Sequence, residues 1–235
     1  AQIDEVIVVG YGTQKKVNVT GSVATIDSKA FDKRPIVSTS AALQGMAPGV
    51  TVTTQSGAPG DDGGAIRIRG INSFGGSSTS PLVLIDGIEG SLDSVDPNLI
   101  ESISILKDAA SSSIYGSRAA NGVVLITTKQ GSRKRGPEIS FSTFVGISKV
   151  TKSYDVLNAR QYRDLMEENG AVSGLPADLT DRTDWFDETY STGVNQNYQF
   201  SVSNGDENSS YYLGGGYTNE KGIINTTSSD RYNVK

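Results

Sequence analysis

Residues 103–128 read ISILKDAASSSIYGSRAANGVVLITT. Ile103-Ser104-Ile105-Leu106 has the composition of a strand, and Gly122 to Thr128 that of a second strand. Between them Asp108 stands where it can cap a helical stretch from Ala109 to Tyr115. Strand, short helix and strand in so short a span predict a small α+β domain. The flanking sequence extends it. Upstream, Leu82-Val83-Leu84-Ile85 is a buried strand ending at Asp86-Gly87, and Asp96-Pro97 is a cap followed by proline at the first helical position. Ala65-Ile66-Arg67-Ile68-Arg69 alternates apolar and basic residues, which places both arginines on one strand face. Val50 to Thr54 and Val23 to Asp27 are further strands. Ser38 to Gln44 begins a helix under a hydroxyl cap, and Gly45 and Pro48-Gly49 end it.

Downstream the character changes. Ile139 to Val145 opens a strand, and Ala159 to Asn169 is a helical patch. Tyr198, Phe200 and Val202 then alternate with Gln199, Ser201 and Ser203. A polar turn, Asn204 to Asn208, leads into Tyr211 to Tyr217, so the pair reads as a hairpin. The same alternation suits a soluble hairpin and a membrane-barrel wall. Three zones follow: residues 1–17, with one β-branched run, Val6 to Val9; residues 18–131, the α+β domain; and residues 132–235, the hairpin-rich part.

Composition narrows the chemistry. The 235 residues include 27 glycines, no cysteine and no histidine. Disulfides, thiolate nucleophiles, Cys-type zinc sites, Ser-His-Asp hydrolysis and His-based metal chemistry are therefore excluded within the chain. A net charge of −5 argues against nucleic acid, and Arg133-Lys134-Arg135 reads as a solvated linker. No run approaches the roughly 20 apolar residues of a transmembrane helix. No signal peptide is legible at Ala1, so the first residues are expected either to follow a cleavage or to lie inside a longer precursor. Asp86, Glu89, Asp93 and Asp96 lack the EF-hand spacing and are better explained by turns and caps, so neither metal nor cofactor is expected. Gly10-Tyr11-Gly12 lacks the third glycine and the helix of a nucleotide fingerprint.

Six segments, in this order, resemble TonB-dependent outer-membrane transporters of the SusC/RagA type. They are Asp4 to Gly12, Ala42 to Val50, Ile66 to Gly70, Pro81 to Gly87, Ile103 to Ala109 and Ile114 to Lys129. The resemblance is specific over Asp4 to Lys129 and looser to Lys235. It implies an α+β plug domain, a small mixed sheet with short helices, followed by the first antiparallel strands of a transmembrane β-barrel. It divides the chain into a Ton box with linker (1–17), a plug (18–131) and the opening of the barrel (132–235). In such transporters the plug fills a barrel of about 22 strands. The periplasmic protein TonB supplies energy through the Ton box, and a SusD-like surface lipoprotein acts as a lid over glycan or peptide substrates. The implied setting is the outer membrane, with its lipid around the barrel, and the implied activity is import rather than enzymatic catalysis.

Residue readings stand beside that resemblance. Asp4, Glu5, Val6, Ile7, Val8, Val9 and Gly10 form a run suited to strand addition by TonB, because main-chain bonds need no particular side chains. A terminal strand paired with the domain's own sheet is the competing reading. Arg67 and Arg69 are expected to anchor the plug to barrel carboxylates, since buried guanidinium requires pairing; a solvated basic edge is the alternative. Asn72, Ser73, Phe74, Ser77 and Ser78 form a hydroxyl-rich loop that could face substrate, or be a plain loop. In the barrel reading, Ala159 to Asp187 and Asn219 to Ser229 are outer loops and Asn204 to Asn208 a short inner turn. The residues after 131 supply only a few strands of barrel length, and an open sheet is not viable in a bilayer. A complete wall is therefore expected to need more chain than this. The competing class is a soluble α+β binding or adhesion module with a hairpin-rich C-terminal part. It would bury the apolar sheet face against a second sheet.

Overall fold

The structure is a computed structural model, and it describes residues 6–9, 12–15, 22–30, 38–54, 56–61, 63–71, 79–131, 136–152, 154–170 and 183–235. Its N-terminal domain is built on a five-stranded sheet. The strands are β3 (Val23–Asp27), β6 (Leu82–Ile85), β7 (Ile88–Glu89), β8 (Ile100–Leu106) and β9 (Val123–Thr128). Their order is β3-β8-β9-β6-β7, with β6 and β9 parallel and the other pairs antiparallel. β3 is therefore an edge strand. β4 (Val50–Thr54) and β5 (Gly64–Ile68) form a separate antiparallel pair, and α1 (Thr39–Leu43) precedes them.

The central strands carry apolar residues on both faces, continuously in Leu82–Ile85 and in Val123 to Ile126, because both faces of the sheet are covered. Ile103, Ile105, Val124 and Ile126 point to one core, shared with Leu43 of α1 and with Val52, Ile66 and Ile68. Their neighbours Leu106, Val123 and Leu125 point to the other, with Leu82, Leu84 and Ala119. Ile103 and Ile105 are completely buried, and each such side chain contributes roughly 1.5–3 kcal/mol of hydrophobic stabilisation. Local signals place the connections. The Ser38 side chain accepts from the Ala41 N–H and starts α1. Asp86 (φ 48) and Gly87 (φ 88) supply the left-handed pair for the two-residue turn between β6 and β7.

One cap differs from expectation. Asp108 precedes α2 (Ala109–Ser112), which passes into a 3-10 turn over Ser113–Ala119. Its carboxylate makes no capping bond; it is engaged elsewhere.

The second unit is a four-stranded antiparallel sheet in simple sequence order. It comprises β10 (Glu138–Ser148), β11 (Gly193–Gly205), β12 (Ser210–Lys221) and β13 (Ser228–Val234). Between β10 and β11 lie α3 (Ala159–Glu168), with a reciprocal Asn158/Gln161 capping box, and α4 (Trp185–Thr189). The turn between β11 and β12 spans only 206–209, and the loop between β12 and β13 only 222–227. The expected outer loop Asn219 to Ser229 is thus shorter. The ladder continues through Asn219↔Asp230 and Lys221↔Ser228, where polar residues carry no aromatic signal.

Register fixes the two faces. One face carries Ile139, Phe141, Phe200, Leu213, Tyr217 and Tyr232 in cross-strand rows, and Ile139, Phe141 and Tyr232 are at least two-thirds exposed. No second sheet covers it among the described residues. The opposite face carries Ser140, Ser142, Gln199, Gly214, Gly216, Thr218 and Asn233, and lies against the N-terminal domain.

Candidate functional site

The candidate site is the seam between the two units, and β12 is its spine. At the short-turn end, a Cβ on Gly131 would overlap the backbone of Tyr211, so the domain's last residues run directly against the strand. Further along, a Cβ on Gly214 would come within 3.2 Å of the Leu99 side chain. At the far end Gly60 donates its N–H to the Glu220 carboxylate at 3.0 Å. There a Cβ on Gly222 would meet Pro59 at 2.9 Å. Glycine within a strand marks close approach of another backbone or side chain, and Gly214 and Gly216 do so here, whereas Gly215 between them lies on the other face.

Midway along the seam lies Asp96, 4 % exposed. It caps a 3-10 turn over Pro97–Leu99, with one carboxylate oxygen accepting from the Asn98 N–H at 2.8 Å and from Asn98 Nδ2 at 2.9 Å. The other oxygen accepts from Gln199 Nε2 at 2.7 Å and from Asn233 Nδ2 at 2.6 Å. All four donors are neutral amides, and two come from the four-stranded sheet. Charged–neutral hydrogen bonds of this length contribute about 1.5–3 kcal/mol each, enough to offset burial of the carboxylate.

A second crossing joins Lys235 to the β6–β9 region. Its ammonium donates to Thr128 Oγ1 and, at 3.0 Å, to the Lys129 carbonyl, and it lies 3.7 Å from the Asp86 carboxylate. Asp86 itself accepts from the Thr128 N–H at 2.9 Å and from the Thr128 hydroxyl. Near Asp96 a cavity of about 380 Å³ is lined by Leu99, Lys129, Ser140, Gln199, Ser201 and Tyr212.

The two arginines part company. Arg67 lies in β5, opposite Thr51, with its Nε buried and without a hydrogen-bond partner among the described residues. Arg69 lies beyond the strand end and turns left-handed (φ 59), so it does not share the face that strict alternation assigns. Its guanidinium pairs with Asp108 at 2.5 Å, a carboxylate of the same domain rather than of the four-stranded sheet. Asp108 also accepts the Ser22 N–H at 2.6 Å, just before β3. That N–H, and then the Arg69 guanidinium, hold its carboxyl below the usual value of 3.8, against a burial effect that pushes it up.

The N-terminal run forms a hairpin. β1 (Val6–Val9) pairs antiparallel with β2 (Gly12–Lys15), and the two form a sheet of their own. It is not a strand of the domain's main sheet, and the polar stretch after it is its partner rather than a tail. Asp4, Glu5 and Gly10 lie outside the described residues, as do Asn72, Ser73, Phe74, Ser77 and Ser78. Asp93 accepts from the Ser40 N–H and Glu89 pairs with Arg118, so the acidic stretch supplies internal contacts. Among the described residues no three acidic side chains gather as a metal site. No described helix is long and apolar enough to cross a membrane, which says nothing of a β-barrel.

Sequence reading missed Asp96 as a bridging residue, together with Gln199, Asn233, Glu220 and Lys235. The triple glycine in β12 was the signal available; it pointed to close approach but not to what approaches.

Comparison with known proteins follows the same division. The family described as TonB-dependent Receptor Plug Domain matches residues 15–123. The chain is 40% identical over 241 residues to TonB-dependent receptor SusC of Bacteroides thetaiotaomicron, covering 98% of this chain and 24% of that protein. It is also 40% identical to TonB-dependent receptor P26 of Formosa agariphila, with the same two coverages. The chain thus spans about a quarter of the length of the curated relatives it matches. Among solved structures it is similar to the RagAB peptide importer in the "closed-closed" state, with a TM-score of 0.83, 30% identity, and 92% of this chain and 28% of that chain covered. In the "open-open" state the TM-score is 0.79 at 31% identity, with 98% and 30% covered.

Proposed function

The chain belongs to the SusC/RagA type of TonB-dependent receptor as an N-terminal, plug-bearing region, and we propose that the whole protein actively imports a nutrient across the outer membrane. In this reading residues 18–131 are the plug, residues 132–235 begin the barrel wall, and residues 1–17 carry the energy-coupling segment. One observation carries it: the four-stranded sheet turns its polar face to the plug, and no described residues cover its apolar face. A soluble module would bury that apolar face. A barrel wall presents it to lipid.

The coupling partner is TonB, bound by strand addition along Asp4 to Gly10. What supports this is the pairing of Val6–Val9. One edge is taken by Gly12–Lys15, and no described strand occupies the other, so a further strand can join without dissolving the hairpin. The substrate is a glycan or peptide fragment, and a SusD-like surface lipoprotein covers the outer opening. What supports this is the likeness to the RagAB peptide importer and to TonB-dependent receptor SusC. Arg67, whose Nε has no partner among the described residues, anchors the plug to a carboxylate elsewhere on the wall. The work is gated transport rather than catalysis.

The test is uptake by the full-length receptor carrying Val8→Pro, which removes one ladder donor and restrains φ. Uptake should collapse to the level of a TonB-deficient cell while surface abundance and substrate binding remain normal. Uptake at the wild-type rate would refute the coupling assignment.

A further inference from the structure

We propose that Asp96 is the residue that seats the plug, through an amide socket formed by Gln199 and Asn233 of the wall. The inference rests on the plugged-barrel reading above and names the contact that keeps the plug closed.

Three observations carry it. The first is saturation. A carboxylate has about four acceptor sites, and Asp96 fills them with two donors from its own turn and two from the wall. A charge 4 % exposed is tolerable only while those donors stay in place. Withdrawal of the wall would leave it half satisfied.

The second is Asn233. Its Oδ1 is buried and has no hydrogen-bond partner among the described residues, so the bond from Nδ2 to Asp96 is what its side chain gains at this position. An apolar residue would leave no orphan oxygen. The third is Gly216. It has an ordinary strand backbone, yet a Cβ there would overlap the Gln199 side-chain amide. The empty space above Gly216 is therefore the path by which Gln199 crosses β12 to reach Asp96.

The socket uses no basic residue. Its neutral amides have fixed positions on β11 and β13, one on each side of β12, so together they specify where the plug turn must sit. Asp96 is thus a positioning residue: it touches neither substrate nor TonB in this account, and acts through the placement of the Pro97–Leu99 turn against the wall.

The experiment uses the purified full-length receptor in planar lipid bilayers. Passive conductance is measured alongside heat-modifiable mobility, which reports barrel assembly, and substrate binding. Asp96→Asn keeps the capping oxygen but turns a donor toward donors. Gly216→Ala displaces Gln199 without straining the backbone. Both should assemble, bind substrate and conduct at least roughly tenfold more than wild type, the lower bound for loss of one such hydrogen bond. Gly215→Ala is the control, because a Cβ there meets only the Asn233 carbonyl at an ordinary 3.6 Å; it should conduct like wild type. Combining Asp96→Asn with Gln199→Glu reverses which partner carries the charge and should restore the seal.

Wild-type conductance in both Asp96→Asn and Gly216→Ala overturns the proposal, as does a double variant that leaks as much as Asp96→Asn alone. If Asp96→Asn does not assemble, the glycine pair decides. Gly216→Ala leaking beside a tight Gly215→Ala supports the seat. Like behaviour of the two, or failure of Gly216→Ala alone to assemble, overturns it. Removal of residues 1–131 separates the two levels of the argument. If that deletion conducts no more than wild type, the plugged-barrel reading itself fails. If it conducts while the point variants stay tight, only the seat fails.

Discussion

At Asp108 a single carboxylate holds three parts of the plug together. It accepts the Ser22 N–H ahead of the edge strand Val23–Asp27, pairs with Arg69 after Gly64–Ile68, and precedes the helix at Ala109. That edge strand is the first described strand after the N-terminal hairpin. Because the folded carboxyl lies below its ordinary value of 3.8, its contribution is complete above that value and is lost as pH falls through the lower folded value. Asp108→Ala should therefore speed hydrogen exchange of the Val23 to Asp27 amides several-fold at neutral pH. The difference from wild type should disappear once the medium is acid enough to protonate the folded carboxyl. An unchanged difference at low pH would show that the side chain acts through something other than its charge. This residue also marks a limit of sequence reading. Asp before a helix signals a cap, and only the left-handed turn at Arg69 brings a competing guanidinium to it. Asp96 shows the same limit: its cap was legible, whereas its socket lies more than a hundred residues away in the chain.

At the scale of elements, the wall strands are set by alternation. Ile139 pairs with Val202, Phe141 with Phe200, and Tyr198, Tyr217 and Tyr232 form one row, the first two rings stacked with centroids 6.5 Å apart and the last two tilted with centroids 4.9 Å apart. Their neighbours along the strands are polar: the Tyr217 hydroxyl donates to Asp230 at 2.7 Å and the Tyr198 hydroxyl to Gln196 at 3.2 Å. Aromatic bodies beside an apolar field, with hydroxyls directed to a polar row, suit an interfacial belt. Phe200→Arg in the full-length receptor should cost roughly 2–4 kcal/mol of assembly, read as lost surface abundance and lost heat-modifiable mobility. Ser201→Arg, on the plug side, should be milder. Equal behaviour of the two variants would remove Phe200 from a lipid-facing position. Periodicity made the centres of these strands legible, because apolar and polar residues divide there. It missed their ends: Asn219 to Lys221 and Ser228 to Asp230 are polar on both faces, so a paired ladder looked like loop. The N-terminal hairpin was half visible. Val6 to Val9 announces itself as a strand, whereas Gly12-Thr13-Gln14-Lys15 becomes one only by pairing with it.

For the whole molecule, the four-stranded sheet is two-faced: it meets the plug with its polar side, and in the proposed barrel its apolar side meets lipid. The fold class was legible because a doubly buried sheet and a half-buried sheet leave different patterns, continuous in Val123 to Ile126 and alternating in Tyr198 to Ser203. The seam was not, since contact between distant glycines and amides leaves no local period. Both levels meet in a single measurement, the structure of the full-length receptor in lipid nanodiscs. The account predicts a closed barrel with Ile139, Phe141, Phe200, Leu213 and Tyr232 against lipid, and the plug inside with Asp96 within hydrogen-bonding distance of Gln199 and Asn233. A structure in which another protein layer covers those apolar residues, or in which residues 18–131 lie outside the ring of strands, would contradict it.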